Sequence, residues 1–265
     1  MSALHSEALL LRSVDFGESD RVVHLLTARS GRLTAIAKGA RRSRQRFPGT
    51  LDVFNRLEID ARTRPRASMA FLERARLVDP HLGVRAHPAR YALASFLVEM
   101  LDRLAPEGLG GPDAEGLFGY AAQSLALIGR TRPTPALRVL LELRGFDALG
   151  LRPELGRCVR CGRVPSERTA PEHPIHFHVA DGGIVCSACA LQLQGLVQLE
   201  LRTLRVLESG LAGDVEALPA IRLEGNALVQ AARLVFRFQR FHVGLELRSE
   251  RFLEEMLPLA RTEAA

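Results

Sequence analysis

Cys158-Val159-Arg160-Cys161 and Cys186-Ser187-Ala188-Cys189 are separated by 24 residues and hold all four cysteines of this 265-residue chain. Two CxxC knuckles at such a spacing constrain the fold more than any other feature, because each turns sharply enough to bring two sulfurs to one metal ion. In a chain without an export signal, this pairing argues for metal before disulfide. Gly162 supports the first turn and Asp181-Gly182-Gly183 precedes the second. His176–Val179, then Asp181-Gly182, then Ile184-Val185 read as a short hairpin, so the unit is predicted to be a zinc ribbon holding one Zn2+ through Cys158, Cys161, Cys186 and Cys189. Four thiolates fill a tetrahedron and leave no open position for water or substrate, which makes the predicted role structural. His173, His176 and His178 are reserve ligands by position, and surface histidines if the four thiols suffice. A redox CxxC would be expected as a single pair beside a βαβ pattern.

The segment before residue 80 has a different grammar. Ser6–Val14, Arg21–Thr27, Arg32–Lys38, Leu51–Ala61 and Ser68–Val78 are β-rich or alternating runs. They are punctuated by the turn-prone Asp15–Asp20, by Ser30-Gly31 and by Thr63–Pro65. Five short strands in about 80 residues fit a small closed barrel, either an OB-fold or an SH3-like barrel. The five strands and the basic connecting loop favour the OB-fold.

Beyond Pro80 apolar residues recur at helical spacing over Ala89–Leu104, Ala114–Ile128 and Pro135–Leu149, with Thr134 a possible N-cap before Pro135. Residues 196–216 and 226–247 continue the helical pattern, and Arg251–Leu257 adds a short terminal piece. The expected class is α+β and multidomain: a five-stranded OB-fold barrel at 1–80, then a helical domain at 81–155 and 196–265, with a zinc ribbon at 156–195 inserted into it.

Charge is segregated in the same way. The formal net charge is +6, and residues 1–80 carry 15 basic and 9 acidic side chains while the remainder balances. Arg29, Arg32, Lys38, Arg41, Arg42, Arg44 and Arg46 fall in one stretch without a carboxylate. Unneutralised cations gathered in one region form an anion-attracting field. Lys38 is the one lysine of the chain; arginine's planar fork gives phosphate two parallel hydrogen bonds where lysine offers a point charge. Phe47 adjoins the basic loop and is expected to be exposed, whereas Phe54 and Phe71 sit in strand patterns and are expected in the core. Aromatic residues make up only 5% of the chain, so a backbone-led grip on a polyanion is expected rather than an extended stacking platform.

No run approaches the eighteen or so apolar residues that span a bilayer, and the start, MSALHSEALLLRSVDFGESD, lacks a basic n-region. A cytoplasmic, nucleoid-associated protein with no membrane partner is expected.

Ser6–Arg42 (SEALLLRSVDFGESDRVVHLLTARSGRLTAIAKGARR), the LELRGFDALGLRPELGRCVRCG lead-in and the later GGIVCSAC together resemble the RecO family of bacterial DNA repair and recombination mediators. The resemblance extends over nearly the whole chain. It implies an N-terminal OB-fold, a helical domain, and a zinc ribbon of the kind that only some members carry. It also implies binding of single- and double-stranded DNA, annealing of complementary strands, and cooperation with RecR in loading RecA onto DNA coated with single-strand-binding protein. Carried over by position, Lys38, Arg41, Arg42, Arg44 and Arg46 become DNA contacts, with Arg32 at the head of the same segment grouped with them. The family further implies a helical-domain site for the C-terminal tail of single-strand-binding protein. Arg130, Arg132 and Arg233–Arg240 are candidates for it, although Leu234, Phe236 and Phe238 read as helix core.

Two other classes compete. An enzyme is not supported, because the sequence holds no P-loop, no HExxH and no compact acidic metal cluster; no catalytic residue and no small-molecule substrate are expected. A zinc-ribbon nucleic-acid-binding regulatory factor would touch nucleic acid through Arg157, Arg160 and Arg163, which Glu154, Glu167 and Glu172 offset.

Overall fold

The computed structural model describes residues 2–43, 45–63, 68–165, 175–244 and 246–259. The chain divides into two compact units, Met1–Arg132 and Pro133–Ala265.

In the first unit β1 (Ser2–Phe16), β2 (Asp20–Thr27), β3 (Gly31–Ala37), β4 (Arg56–Thr63) and β5 (Ala70–Asp79) close a barrel in the order β1-β2-β3-β5-β4. All pairings are antiparallel except β3 with β5, where Ala35 faces Ala70 and Ile36 faces Phe71. This five-stranded closure is the OB-fold. β1 runs past both ends of the expected strand because it serves two neighbours: Ser2–Leu9 pair with β4 and Ala8–Phe16 with β2. A register shift between Leu10 and Arg12 bends it from one pairing to the other. β4, by contrast, starts five residues later than the alternation suggests. Phe54 adopts a left-handed backbone (φ 76°), which ends any strand there.

Alternation sends Ala8, Val23, Leu25, Ala35, Leu57, Ile59 and Leu72 into the barrel core. The many alanines suit the taper of so small a barrel. Helices α1 (Leu82–Arg85), α2 (Pro88–Leu104) and α3 (Gly111–Arg130) belong to the same unit. Pro88 opens α2 and the His87 ring caps it by accepting from the Ala89 amide. Gly31 is required where β3 meets the α2–α3 connection: its φ is +61°, and a Cβ would lie 2.6 Å from the Pro106 carbonyl oxygen.

The second unit holds α4 (Pro135–Ala148), with Thr134 capping through the Leu137 amide at 3.1 Å as the sequence suggests. A three-stranded sheet follows, ordered β7-β6-β8 from β6 (Ile175–His178), β7 (Gly183–Val185) and β8 (Leu196–Leu199). α5 (Ser187–Ala190), α6 (Leu201–Ala212), α7 (Gly225–His242) and α8 (Arg248–Met256) complete it. The helical pattern expected over 196–216 thus starts as a strand. Val197 and Leu199 are buried on one face of β8 and pair with β6, a long-range contact that periodicity in a short window does not register. None of the described helices is long and apolar enough to cross a membrane.

Candidate nucleic-acid interface and metal centre

Lys38 follows the last residue of β3, and the basic loop that begins there is held by the β1–β2 hairpin. The Gly39 amide donates to Asp20 Oδ1 at 2.8 Å and the Arg41 amide to the Ser19 carbonyl at 3.0 Å. The Arg41 guanidinium donates to the carbonyls of Gly17 (3.3 Å) and Glu18 (3.2 Å) and pairs with Asp15 at 3.3 Å. The Gly39 amide, and after it the Ser19 hydroxyl, hold the Asp20 carboxyl below its ordinary range. Further along, Arg46 Nη2 donates to the Lys38 carbonyl at 2.6 Å, folding the loop back on its own start.

Lys38, Arg41, Arg42 and Arg46 are therefore brought together on one loop with their side chains exposed. Arg44 lies outside the described residues. Arg32 is elsewhere: it sits near the opposite end of β3, about 20 Å from Lys38 at 3.3 Å per residue. Its guanidinium pairs with Glu107 at 2.8 Å and approaches Asp102 at 3.9 Å. Its charge is spent within the unit.

Phe47 corrects the sequence expectation. It is only 4% exposed and packs with Leu51 into the barrel core, because the Pro48-Gly49 turn folds it under the loop, and Arg46 lies 5.4 Å above its ring. Phe54 is buried as expected; Phe71 is half-buried beneath Lys38, 5.6 Å from its ring centre. The exposed ring is that of Phe16, at the hairpin tip, 53% accessible. Sequence reasoning passed over it because it sits within a turn-forming DFGESD run.

The four cysteine sulfurs lie within 4.8 Å of one another. Cys161 and Cys186 Sγ are 3.7 Å apart, close to the ~3.8 Å edge of a tetrahedron with 2.3 Å metal–sulfur bonds. The first knuckle is closed by Cys158 N to Arg163 O and Gly162 N to Cys158 O, both 2.8 Å, with Gly162 at φ +74°. In the second, Cys186 precedes α5 and its carbonyl accepts from Ala190 at 3.0 Å. Burial opposes ionisation of Cys158, but the amides of Cys186, Cys161 and Arg160 outweigh it and bring the thiol to about 6, while Cys189, hydrogen-bonded to Cys186 and Cys161, is pushed up to about 12. Four thiols within 4.8 Å of one another, two of them at the spacing of a tetrahedral edge, fit a metal ion. β7 anchors the knuckles: Val159 N donates to Ile184 O at 2.9 Å, and Gly183 lies against the Val159 side chain where a Cβ has no room. Of the reserve ligands, His178 faces Asp181 at 2.9 Å, His176 has a buried Nδ1, and His173 lies outside the described residues. Arg160 pairs with Asp181 at 2.8 Å and Arg157 approaches Glu154 at 3.7 Å, so much of the ribbon's positive charge is balanced.

Beside the ribbon sheet, a mostly apolar cavity of about 450 Å³ is lined by Val179, Gln194, Phe236, Arg237, Arg240 and Phe241 among others. Leu234 and Phe238 are core as expected, but Phe236 is half-buried and opens onto this cavity, with Arg240 5.3 Å from its ring centre. Arg130 and Arg132, at the end of α3, are exposed and lie outside its lining.

A closed OB barrel with a tethered cationic loop, followed by helices built around a four-cysteine ribbon, defines a two-unit OB-fold protein with a metal-ready centre. Residues 1–81 match the family model described as "Recombination protein O N terminal" and residues 85–251 the one described as "Recombination protein O C terminal". The "DNA repair protein RecO" of Anaeromyxobacter dehalogenans (strain 2CP-C) is 34% identical over 259 residues, covering 98% of this chain and 99% of its own. Those of Myxococcus xanthus (31%, 97% and 99%) and Syntrophobacter fumaroxidans (30%, 96% and 98%) are similar over the same extent. The chain belongs to the RecO family.

Proposed function

We propose that this chain is a DNA repair and recombination mediator. It binds single- and double-stranded DNA through the basic loop of its barrel, anneals complementary strands, and with RecR promotes loading of RecA onto DNA coated with single-strand-binding protein. It does so without catalysing a reaction, in the cytoplasm at the nucleoid. The observation that carries this reading is the grouping of Lys38, Arg41, Arg42 and Arg46 on one tethered loop of an OB barrel, in a chain of the RecO family. Arg44 and Arg32 belong to the same set by sequence alone, Arg32 with its guanidinium paired to Glu107. The functional division is residues 1–80 for DNA and 156–195 for the metal ribbon, with 81–155 and 196–265 as helical support.

The metal at Cys158, Cys161, Cys186 and Cys189 is one zinc ion, and it shapes the ribbon rather than activating water. For the C-terminal tail of single-strand-binding protein, the cavity between Phe236, Arg237, Arg240 and Phe241 offers apolar walls and guanidinium groups to an acidic, apolar peptide.

The test is direct. The purified protein is expected to speed annealing of complementary oligonucleotides in the absence of ATP and to leave both strands intact. Strand cleavage, or a nucleotide requirement, would overturn the mediator reading.

A further inference from the structure

Of the four aromatic residues in 1–80, Phe47 and Phe54 are buried and Phe71 is half-buried beneath Lys38. Phe16 alone of these is open, and its position is particular. It is the last residue of β1, paired across the hairpin with Asp20, and Asp20 is the residue that holds Gly39 at the root of the basic loop. On one side of Phe16, Asp15 is shared between Arg21 (3.1 Å) and Arg41 (3.3 Å). On the other, Gly17 and Glu18 present their carbonyls to the same Arg41 guanidinium. The arginine is thus held to the hairpin tip that carries the ring, and Gly17, at φ +58°, makes the turn after Phe16.

We propose that Phe16 is a base-stacking anchor for single-stranded nucleic acid, working beside the phosphate-binding cations of the 38–46 loop; this rests on the DNA-binding reading above. Every base has a π-face, so a single exposed ring grips any sequence. Large rings are normally withdrawn from water, and here the open one sits on the hairpin tip whose Asp15, Gly17 and Glu18 hold the Arg41 guanidinium. Val14, two residues back on the same face of β1 and 45% exposed, extends the apolar strip by about 6.6 Å at the usual strand rise. One anchor also suits annealing: it pins the strand at one base and leaves the neighbouring bases free to pair. In a duplex each base face is already stacked on its neighbour, so the anchor discriminates in favour of single strands.

The chain contains no tryptophan, so Phe16→Trp introduces a sole reporter at the site. Fluorescence anisotropy of the full chain with labelled oligo(dT) and with a duplex of the same length, across a salt series, gives the affinities. Phe16→Ala is expected to lose about fivefold or more in single-strand affinity, the effect of removing one stacked base contact. Duplex affinity and the slope of log K against log salt are expected to stay as in the wild type, because no phosphate contact is removed. Phe16→Leu, which keeps apolar bulk without a π-face, is expected to behave like Phe16→Ala. The Phe16→Trp protein is expected to retain affinity and to be quenched by oligo(dT), and not by an abasic strand of equal charge. Wild-type protein that binds no DNA would sink the DNA-binding reading itself. Wild-type binding with an unaffected Phe16→Ala and an unquenched Phe16→Trp would overturn the stacking proposal and leave Phe16 as a protein contact. Equal loss of single-strand and duplex binding would overturn it too, as a disturbance of the loop.

Discussion

Asp20 Oδ1 accepts the Gly39 amide at 2.8 Å, so the residue that closes the β1–β2 hairpin also fixes the start of the basic loop. Two separate effects of Asp20→Ala are therefore expected. Removing a carboxylate next to cations favours DNA by charge alone, whereas freeing the loop raises the entropy lost on binding. Hydrogen exchange separates them: the Gly39 amide is expected to be protected in the wild type and to exchange freely in Asp20→Ala, while β2 and β3 amides keep their protection. A protected Gly39 in the variant would show that the loop is held by other contacts. The carboxyl's lowered pKa means that this tether is in place above the ordinary aspartate range and is lost as pH falls through its folded value, below 3.8.

Replacing Arg41, Arg42, Arg44 and Arg46 together with Ala is expected to weaken DNA binding across all sequences. If about five cations of the loop meet phosphates, log K falls against log salt with a slope of about −3.5 on single strands, and the fourfold variant flattens it by roughly 2.8. Arg32→Ala, made with its guanidinium already paired to Glu107, is expected to change that slope little. An unchanged slope in the fourfold variant would move the interface away from this loop.

The sites were legible in the sequence to different depths, and the reasons are physical. The CxxC pairs announced a four-sulfur centre because its ligands are local in pairs, and the structure brings all four Sγ together. β-rich composition found β2, and alternation found β3, whose buried residues Gly31, Ala35 and Ala37 share one face. It misplaced β4, where Phe54 turns into left-handed backbone, and it read β8 as helix because the partner that makes it a strand, β6, lies about 20 residues earlier. Phe47 is buried where exposure was expected, and Phe16, for which the sequence carried no expectation, is the exposed ring, for a related reason. Exposure depends on how a turn folds over the barrel end, and the composition beside each ring, Pro-Gly in one case and Asp-Phe-Gly in the other, marks a turn without giving its direction.

Removing the metal is expected to affect the second unit before the first. One equivalent of zinc per chain is expected by elemental analysis, and Cys158→Ser, which alters the most buried of the four ligands, is expected to lower metal content and solubility together. Single-strand affinity of the soluble fraction is expected to stay near the wild-type value, since the basic loop belongs to the other unit. A stable, metal-free wild-type protein would count against a structural zinc. A variant that keeps its metal and loses DNA binding would put the ribbon at the interface.

His81 gives the barrel unit an acid sensitivity of predictable sign. Burial, opposed by Asp79 and by the hydrogen bond from its Nδ1 to the Phe54 carbonyl at 2.8 Å, lowers its pKa below 6.5. The unfolded chain then takes up a proton at a pH where the folded chain does not, so this contribution to stability is present above about pH 6.5 and is lost as pH falls through the folded value. His5, raised chiefly by its hydrogen bond to Asp60, acts in the opposite sense at an exposed site. Thermal melting from pH 7.5 to 5 is expected to show a fall that His81→Asn reduces. An equal fall in the variant would assign the effect to another group.

Among the described residues of the second unit Arg138 is the largest fully buried charged side chain, and it is committed on three sides. Nε donates to Glu142 at 2.8 Å, Nη2 to Glu254 at 2.6 Å, and Nη1 to the Leu257 carbonyl at 2.8 Å, so α4 holds α8 and the chain beyond it. Truncation to Ala leaves Glu142 buried without its counter-charge, and removing one partner of such a pair costs about 3–5 kcal/mol. Arg138→Ala is accordingly expected to lower the urea midpoint of the second unit by far more than any surface arginine. Arg138→Met with Glu142→Leu, which removes both charges and keeps apolar volume, is expected to recover a large part of the loss. If the double variant is no more stable than the single one, the loss comes from the Glu254 and Leu257 contacts, which both variants lack, and not from an uncompensated charge on Glu142.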